Sequence, residues 1–338
     1  DRLKTDHFDL HYSPGFDAEL AALMAERWYE RLSKLFDHEL SDRQTLIIYA
    51  AHPHFRQTNA LGSTKDEGTQ GVTELFKRRI VLPFLGPLAE TDHVIGHELV
   101  HAFQFDMTGK DGGTLMSGVP GAARMPLWFV EGIAEYMSVG HIDPETAMWM
   151  RAFVERDLPI DQIGSSTALH PYHNGQALMA YIAGRWGDET IARLLKTARS
   201  VPNVGLAFQR VLRIHPDSLM SDWYEAMRTA TEPLRDQTAD ASVYGTPILG
   251  RASGSGNYNI APALSPDGNE LVFLSEKDLF AIEMFLSDAN TGEVRRKIVK
   301  TAVNPNFEGV QFIQSAGSWD FSGGAANRFV FAAIRKGQ

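Results

Sequence analysis

Two histidines and a glutamate are spaced to hold a metal ion and to work beside it. His97-Glu98-Leu99-Val100-His101 lies among Val94, Ile95 and Phe103, an apolar run that suits a buried helix. Positions i and i+4 of a helix share one face, so the two imidazoles can meet at one ion. Glu98 is turned by about a third of a turn from His97 and can take a proton from a water beside that ion. This pattern is a zinc-hydrolase signature, with the glutamate as general base. The alternative is a pair of core histidines, so the rest of the chain must supply the missing parts.

A catalytic zinc ion needs three protein ligands. The chain has no cysteine, which leaves Asp, Glu or His for the third. Glu131 is the best candidate. Its neighbours, Trp128-Phe129-Val130 and Gly132-Ile133-Ala134, are apolar or small, and a carboxylate there is costly unless it is paired or coordinates a metal. A buried ion pair with Arg or Lys is the competing reading. Gly132 would let the Glu131 helix approach the motif helix closely. Glu135, at i+4 from Glu131, could accept the free N–H of a ligand histidine and fix its tautomer. Asp106, just past the motif helix, could do the same. For both, an ordinary surface carboxylate is the alternative. His93 shares the face of His97 one turn earlier, about 6 Å away along the axis, and reads as a non-ligand.

The elements that must position these groups follow from periodicity. Residues 7–12 and 45–49 read as strands, and 72–82 as one further strand. Residues 17–38 read as an amphipathic helix with Asp17 as N-cap and Leu20, Leu23, Met24, Trp28, Leu32 and Leu35 inward. A short helix is expected at 54–58 and a loop at 59–71. Residues 108–113 are polar and glycine-rich and read as a loop at a cleft rim. Pro126 opens a second apolar helix through Tyr136. Further helices are expected at 144–156, 173–186, 188–197, 204–212 and 216–227. The fold class is α+β: a small mixed-sheet lobe, then a helical lobe, with the motif helix at their junction.

Near Thr238 the composition changes, helical periodicity stops and short β-runs begin. The expected domains are therefore 1–237 and 238–338. Ser265-Pro266-Asp267-Gly268 and Thr291-Gly292 are turns between strands. A weaker echo at 318–331, about 55 residues on, suggests repeated blades.

With 338 residues and a formal net charge of −10, the chain is not built as a general nucleic-acid binder, which needs clustered Lys and Arg. The basic runs at 77–79 and 295–297 read as solvated strand or turn faces. Absence of cysteine excludes a disulfide framework and a thiol nucleophile. No apolar run approaches the roughly 20 residues of a membrane span. No signal peptide is in view at Asp1-Arg2-Leu3-Lys4, which leaves a cleaved one open.

His97-Glu98-x-x-His101 followed by Trp128-x-x-Glu131-Gly132-x-Ala134 resembles the gluzincin metallopeptidases, a group that includes thermolysin and the leukotriene-hydrolase-like aminopeptidases. The resemblance implies peptide hydrolysis with one zinc ion held by His97, His101 and Glu131, and Glu98 as the base. Pro171-Tyr172-His173-Asn174-Gly175-Gln176-Ala177-Leu178 matches the aminopeptidase segment whose tyrosine polarises the scissile carbonyl. That implies Tyr172 as donor to the oxyanion, against a plain helix-start packing role, with His173 as a weaker candidate. Gly71-Val72-Thr73-Glu74-Leu75 is a partial echo of the Gly-x-Met-Glu-Asn strand, lacking Met and Asn, and it makes Glu74 a candidate substrate-binding residue. The tail, through Ser265-Pro266-Asp267-Gly268, resembles the TolB-type, WD40-like propeller repeat. The propeller resemblance implies a periplasmic or secreted bacterial setting and a protein partner for the propeller, beside the peptide or protein substrate. The competing function is a catalytically silent peptidase-like platform in a propeller-based binding protein.

Overall fold

The computed structural model describes residues 1–13, 17–59, 61, 69–74, 76–84, 88–109, 121–156, 171–235, 237–256, 258–278, 282–300, 304, 306–307, 309–310, 317–320 and 328–334. The fold is α+β and divides into two compact units, Asp1–Gln237 and Thr238–Gln338. Among the described residues, no helix is long and apolar enough to cross a membrane.

The first unit begins with β1 (Arg2–Lys4), β2 (Phe8–Tyr12), α1 (Ala18–Phe36), β3 (Gln44–Tyr49), α2 (His52–Arg56), β4 (Val72–Glu74), β5 (Arg79–Pro83) and α3 (Leu88–Thr108). The strands form one mixed sheet in the order β1-β2-β3-β5-β4. β2 with β3 and β3 with β5 are parallel. The outer pairs are antiparallel. Alternation along the strands sends Phe8, Leu10, Leu46, Ile48, Ile80 and Leu82 into the core shared with α1 and α3. On the other face Val81 packs with Phe55 and Leu61.

Residues 72–82 are not one strand. They form a hairpin, with Val72 opposite Val81 and Glu74 opposite Arg79. The basic run supplies the reversal, and Arg78 takes a positive φ of 50° there. The inward face of α1 also differs from expectation. Leu23 is exposed, while Ala18, Ala21, Ala22, Ala25, Trp28, Tyr29, Leu32 and Phe36 are buried. Small side chains let α1 lie close to its neighbours. Gly96 of α3 completes the fit: a Cβ there would come within 2.6 Å of the Trp28 indole. Asp92, one turn upstream, receives Trp28 Nε1 at 3.2 Å and pairs with Arg27. The motif helix is thereby fixed against α1 at its first turns.

Asp106 fastens its far end. It does not approach His97 or His101. Five residues after His101, it is turned by about 140° on the helix. Its Oδ2 accepts from His38 Nε2 at 2.8 Å, its Oδ1 accepts from Ser41 Oγ at 2.7 Å, and it pairs with Arg78. Burial works to raise the Asp106 carboxyl, but the Ser41 hydroxyl, His38 and Arg78 outweigh it and hold its pKa below the ordinary aspartate value. A depressed folded-state pKa contributes stability above the unfolded value, about 3.9, that is lost as pH falls through the folded one. Asp106→Asn should therefore cost about 2 kcal/mol at neutral pH. In urea titrations the gap from wild type should close below about pH 4.

The rest of the unit is helical: α4 (Leu127–Val139), α5 (Pro144–Glu155), α6 (Pro171–Trp186), α7 (Glu189–Ala198), α8 (Val204–Leu212) and α9 (Pro216–Arg235). α9 continues well beyond the expected end at Met227, with Pro233 in its last turn. Of the expected rim loop, residues 110–113 lie outside the described residues.

After the short α10 (Ala241–Tyr244), the second unit holds β6 (Asn259–Leu264), β7 (Glu270–Ser275), β8 (Glu283–Asp288) and β9 (Val294–Val299) in one antiparallel sheet, ordered as in the chain. Ser265 Oγ accepts from Glu270 N and donates to Asp267 Oδ1, and Gly268 takes φ 75°, which closes the Ser-Pro-Asp-Gly turn. Gly292 does the same at the β8–β9 turn with φ 72°. The echo at 318–331 contributes a two-stranded pair, Ser318–Trp319 with Phe329–Val330. Residues 321–327 between them lie outside the described residues, as do Leu279, Phe280 and Ala281.

Candidate metal centre

α3 and α4 cross so that three ligand-type atoms converge. His97 Nε2 and His101 Nε2 lie 3.1 Å apart. Glu131 Oε2 lies 3.3 Å from the first and 3.2 Å from the second. Atoms about 2.0–2.1 Å from a zinc ion at tetrahedral angles stand about 3.3–3.4 Å from one another. The triangle is thus the size of three corners of a zinc tetrahedron. Glu131 Oε2 is buried and makes no hydrogen bond of normal geometry, close as the imidazoles are. An acceptor so placed fits a cation better than a proton. In the ion-free chain, burial works to raise the Glu131 carboxyl, but His101 and His97 outweigh it and hold it down at about 2. Burial likewise pushes the His97 and His101 pKa values down, and the glutamates facing them reverse the direction to raised. The three groups therefore need a shared positive charge, whether from protons or from a metal.

Each histidine has a side-chain oxygen close to its other nitrogen. Glu135 Oε1 lies 3.2 Å from His97 Nδ1, as its i+4 placement implied, although the angle is off the ideal for a hydrogen bond. His101 Nδ1 is held by Gln104 Oε1 at 2.9 Å. Gln104 Nε2 donates to Val130 O at 2.8 Å, which fixes the amide's orientation. His101 must then carry its proton on Nδ1 and present the lone pair on Nε2. Gln104 is fully buried and ties the histidine helix to the residue before Glu131. Sequence reasoning missed it. Its signal was present: an amide at i+3 from a histidine, inside an apolar run, has to find partners.

Glu98 is buried beside the cluster. Thr73 Oγ1 of the edge strand β4 lies 2.6 Å from Glu98 Oε2 and 2.9 Å from Glu98 O. A Cβ on Gly71 would come within 2.7 Å of Glu98 Oε1, so only glycine leaves the carboxylate its place. Thr73 carries no sequence signal, since threonine is common in strands.

Tyr172, at the start of α6, has its ring 6.0 Å from that of His97. It is delivered by a backbone crossing. A Cβ on Gly175 would meet Trp128 O at 2.2 Å, and one on Gly132 would meet Gly175 Cα at 2.4 Å. Gly132 therefore brings α4 against α6; the expectation that it serves the motif helix is corrected. Gly175→Ala should destabilise the unit by about 1–3 kcal/mol through overpacking, read as a lower urea midpoint.

Two other expectations are corrected. Glu74 is not free to receive a substrate amine. It pairs with Arg79 across the hairpin, with Lys77 at 3.5 Å. Burial works to raise its carboxyl, and Arg79 and Lys77 outweigh it to hold it low. Hairpin register puts Glu74 at the far end of β4, and Thr73 reaches the site instead. His173 is not a donor at the centre. Its Nδ1 lies 3.1 Å from Thr146 Oγ1, and its ring stacks on Trp149.

Thr69, Gln70, Gly71, His93, Val94, His97, Glu98, Glu135 and Tyr172 line a cavity of about 420 Å³. A larger hollow of about 980 Å³ runs along α1 and the start of α3 and holds none of the metal-centre groups.

The model of a family of unknown function, DUF6055, matches residues 60–266. The chain belongs to the DUF6055 family. No curated protein matches it. The DUF6055 match takes in every residue of the centre, from Gly71 to Gly175, and continues into β6 of the second unit.

Proposed function

We propose that this DUF6055 protein is a zinc-dependent metallopeptidase of gluzincin type. The observation that carries the reading is the convergence of His97 Nε2, His101 Nε2 and Glu131 Oε2 within 3.1–3.3 Å, beside a buried glutamate and an exposed tyrosine on one cavity. His97, His101 and Glu131 would hold the ion. Bound there, zinc would supply Lewis acidity that brings the pKa of a water toward neutrality.

Glu98 takes the proton of the attacking water and returns it to the leaving amine. Thr73 and Gly71 keep its carboxylate aimed at that task. Tyr172 donates its phenolic O–H to the oxyanion as negative charge develops. Glu135 and Gln104 hold the imidazole tautomers. The outer edge of β4 offers backbone groups to an extended peptide. With Glu74 paired to Arg79, no carboxylate among the described residues of that strand is left to hold a free amine, which favours cleavage within a chain over removal of its first residue. The same proposal takes β6–β9, with their Ser-Pro-Asp-Gly turn, as a blade of TolB-type propeller, and an extracytoplasmic protein partner as its use.

Thr73→Val should lower kcat about tenfold, the value of a hydrogen bond to a charged group, with zinc content unchanged. Loss of zinc in that variant would show that Thr73 acts on the fold instead. The function itself is tested by stripping the purified chain with a chelator and adding back zinc over a mixture of unstructured peptides. Cleavage should return with the first equivalent. An intact, zinc-loaded chain that cleaves nothing would leave the silent-platform reading.

A further inference from the structure

We propose that His93 and Glu135 form a second, weaker divalent-cation site beside the first, and that zinc beyond one equivalent fills it and inhibits hydrolysis. The inference rests on the metal-centre reading and concerns groups which that reading leaves partly unused.

His93 lies one helical turn before His97, and the two rings stack with centroids 6.0 Å apart and planes 22° from parallel. Glu135 divides its carboxylate between them. Oε1 lies 3.2 Å from His97 Nδ1, and Oε2 lies 3.5 Å from His93 Nε2. The second distance is beyond an ordinary N–H···O hydrogen bond of about 2.7–3.2 Å. It is close to the roughly 3.4 Å between two ligands of one tetrahedral cation. His93, His97 and Glu135 each offer a ligand atom within 4.8 Å of the others. His97 is committed through Nε2 to the first ion, so His93 Nε2 and Glu135 Oε2 are the ligands left for a second.

Both groups line the cavity that also holds Glu98 and Tyr172. The His93 side chain is 36% exposed, so an ion can reach it from the cavity and keep waters as its remaining ligands. Imidazole and carboxylate together suit zinc. Two protein ligands instead of three make the second site the weaker. An ion there would occupy space that a substrate needs next to Tyr172. It would also draw Glu135 away from His97 Nδ1, loosening the orientation of a ligand of the first ion.

The test is a calorimetric zinc titration of the metal-free full chain, with peptide hydrolysis followed over the same zinc range. Wild type should show a tight first equivalent and a weaker second, with hydrolysis rising through the first and falling through the second. His93→Ala should keep the first event and lose both the second event and the fall. His93→Phe, which preserves a ring against His97, should behave the same way and separates ligation from packing. A single event in wild type, a second event that survives both substitutions, or a second event without loss of hydrolysis would overturn the second site and leave the metal centre standing. Absence of the tight first event would overturn the metal centre itself.

Discussion

Replacing Glu98 with glutamine should leave zinc content unchanged and lower peptide hydrolysis by about 10²–10⁴-fold, the usual contribution of a positioned acid–base group. Glutamine has the shape of the buried side chain it replaces and can still meet Thr73 Oγ1, which lies 2.6 Å from Oε2 in the wild type. The carboxylate is not one of the converging ligand atoms, so the ion should stay. What disappears is the group proposed both to take a proton and to give it back. Zinc stoichiometry and kcat on one preparation check the two halves together. Hydrolysis at the wild-type rate would remove Glu98 from the mechanism. Parallel loss of zinc would mean that Glu98 supports the ligands.

Removing the proposed third ligand should have the opposite signature. Glu131→Ala should weaken zinc binding by more than about 100-fold, since loss of groups that merely orient ligands already costs about 10–100-fold. Two histidines of α3 would remain, with Gln104 and Glu135 still at their outer nitrogens. They would lack the carboxylate oxygen that completes the triangle. Competition against a chelating dye of known affinity reads this directly. Unchanged affinity would take Glu131 out of the ligand set.

The parts of this centre that were legible in the sequence are those fixed by helix geometry. His97 and His101 share a face because they are four residues apart. Glu131 stood out because a carboxylate in an apolar helix needs a cation. Glu135 followed from Glu131 by the same spacing. What could not be read depends on contacts between distant elements. Thr73 meets Glu98 only because residues 72–83 turn back as a hairpin, and the same hairpin takes Glu74 away to Arg79. Asp106 looked like a partner for a ligand by proximity in sequence, yet helix rotation sends it to His38, Ser41 and Arg78. Gly132 was legible as a site of close approach, but its partner, Gly175, was not. That crossing joins the helices of Glu131 and Tyr172 through backbone contact, which explains why Glu131-Gly132 and Tyr172-x-x-Gly175 belong together. In α1 the large apolar residues suggested one face, whereas the alanines mark the face that fits against its neighbours.

X-ray absorption at the zinc edge, on chain loaded with one equivalent of zinc, reads the coordination of the proposed centre itself. One bound ion is expected, with two imidazoles and carboxylate oxygen at about 2.0–2.2 Å, and loss of that spectrum in Glu131→Ala. A spectrum without imidazole scattering, or zinc that dialyses away from the wild-type chain, would contradict it.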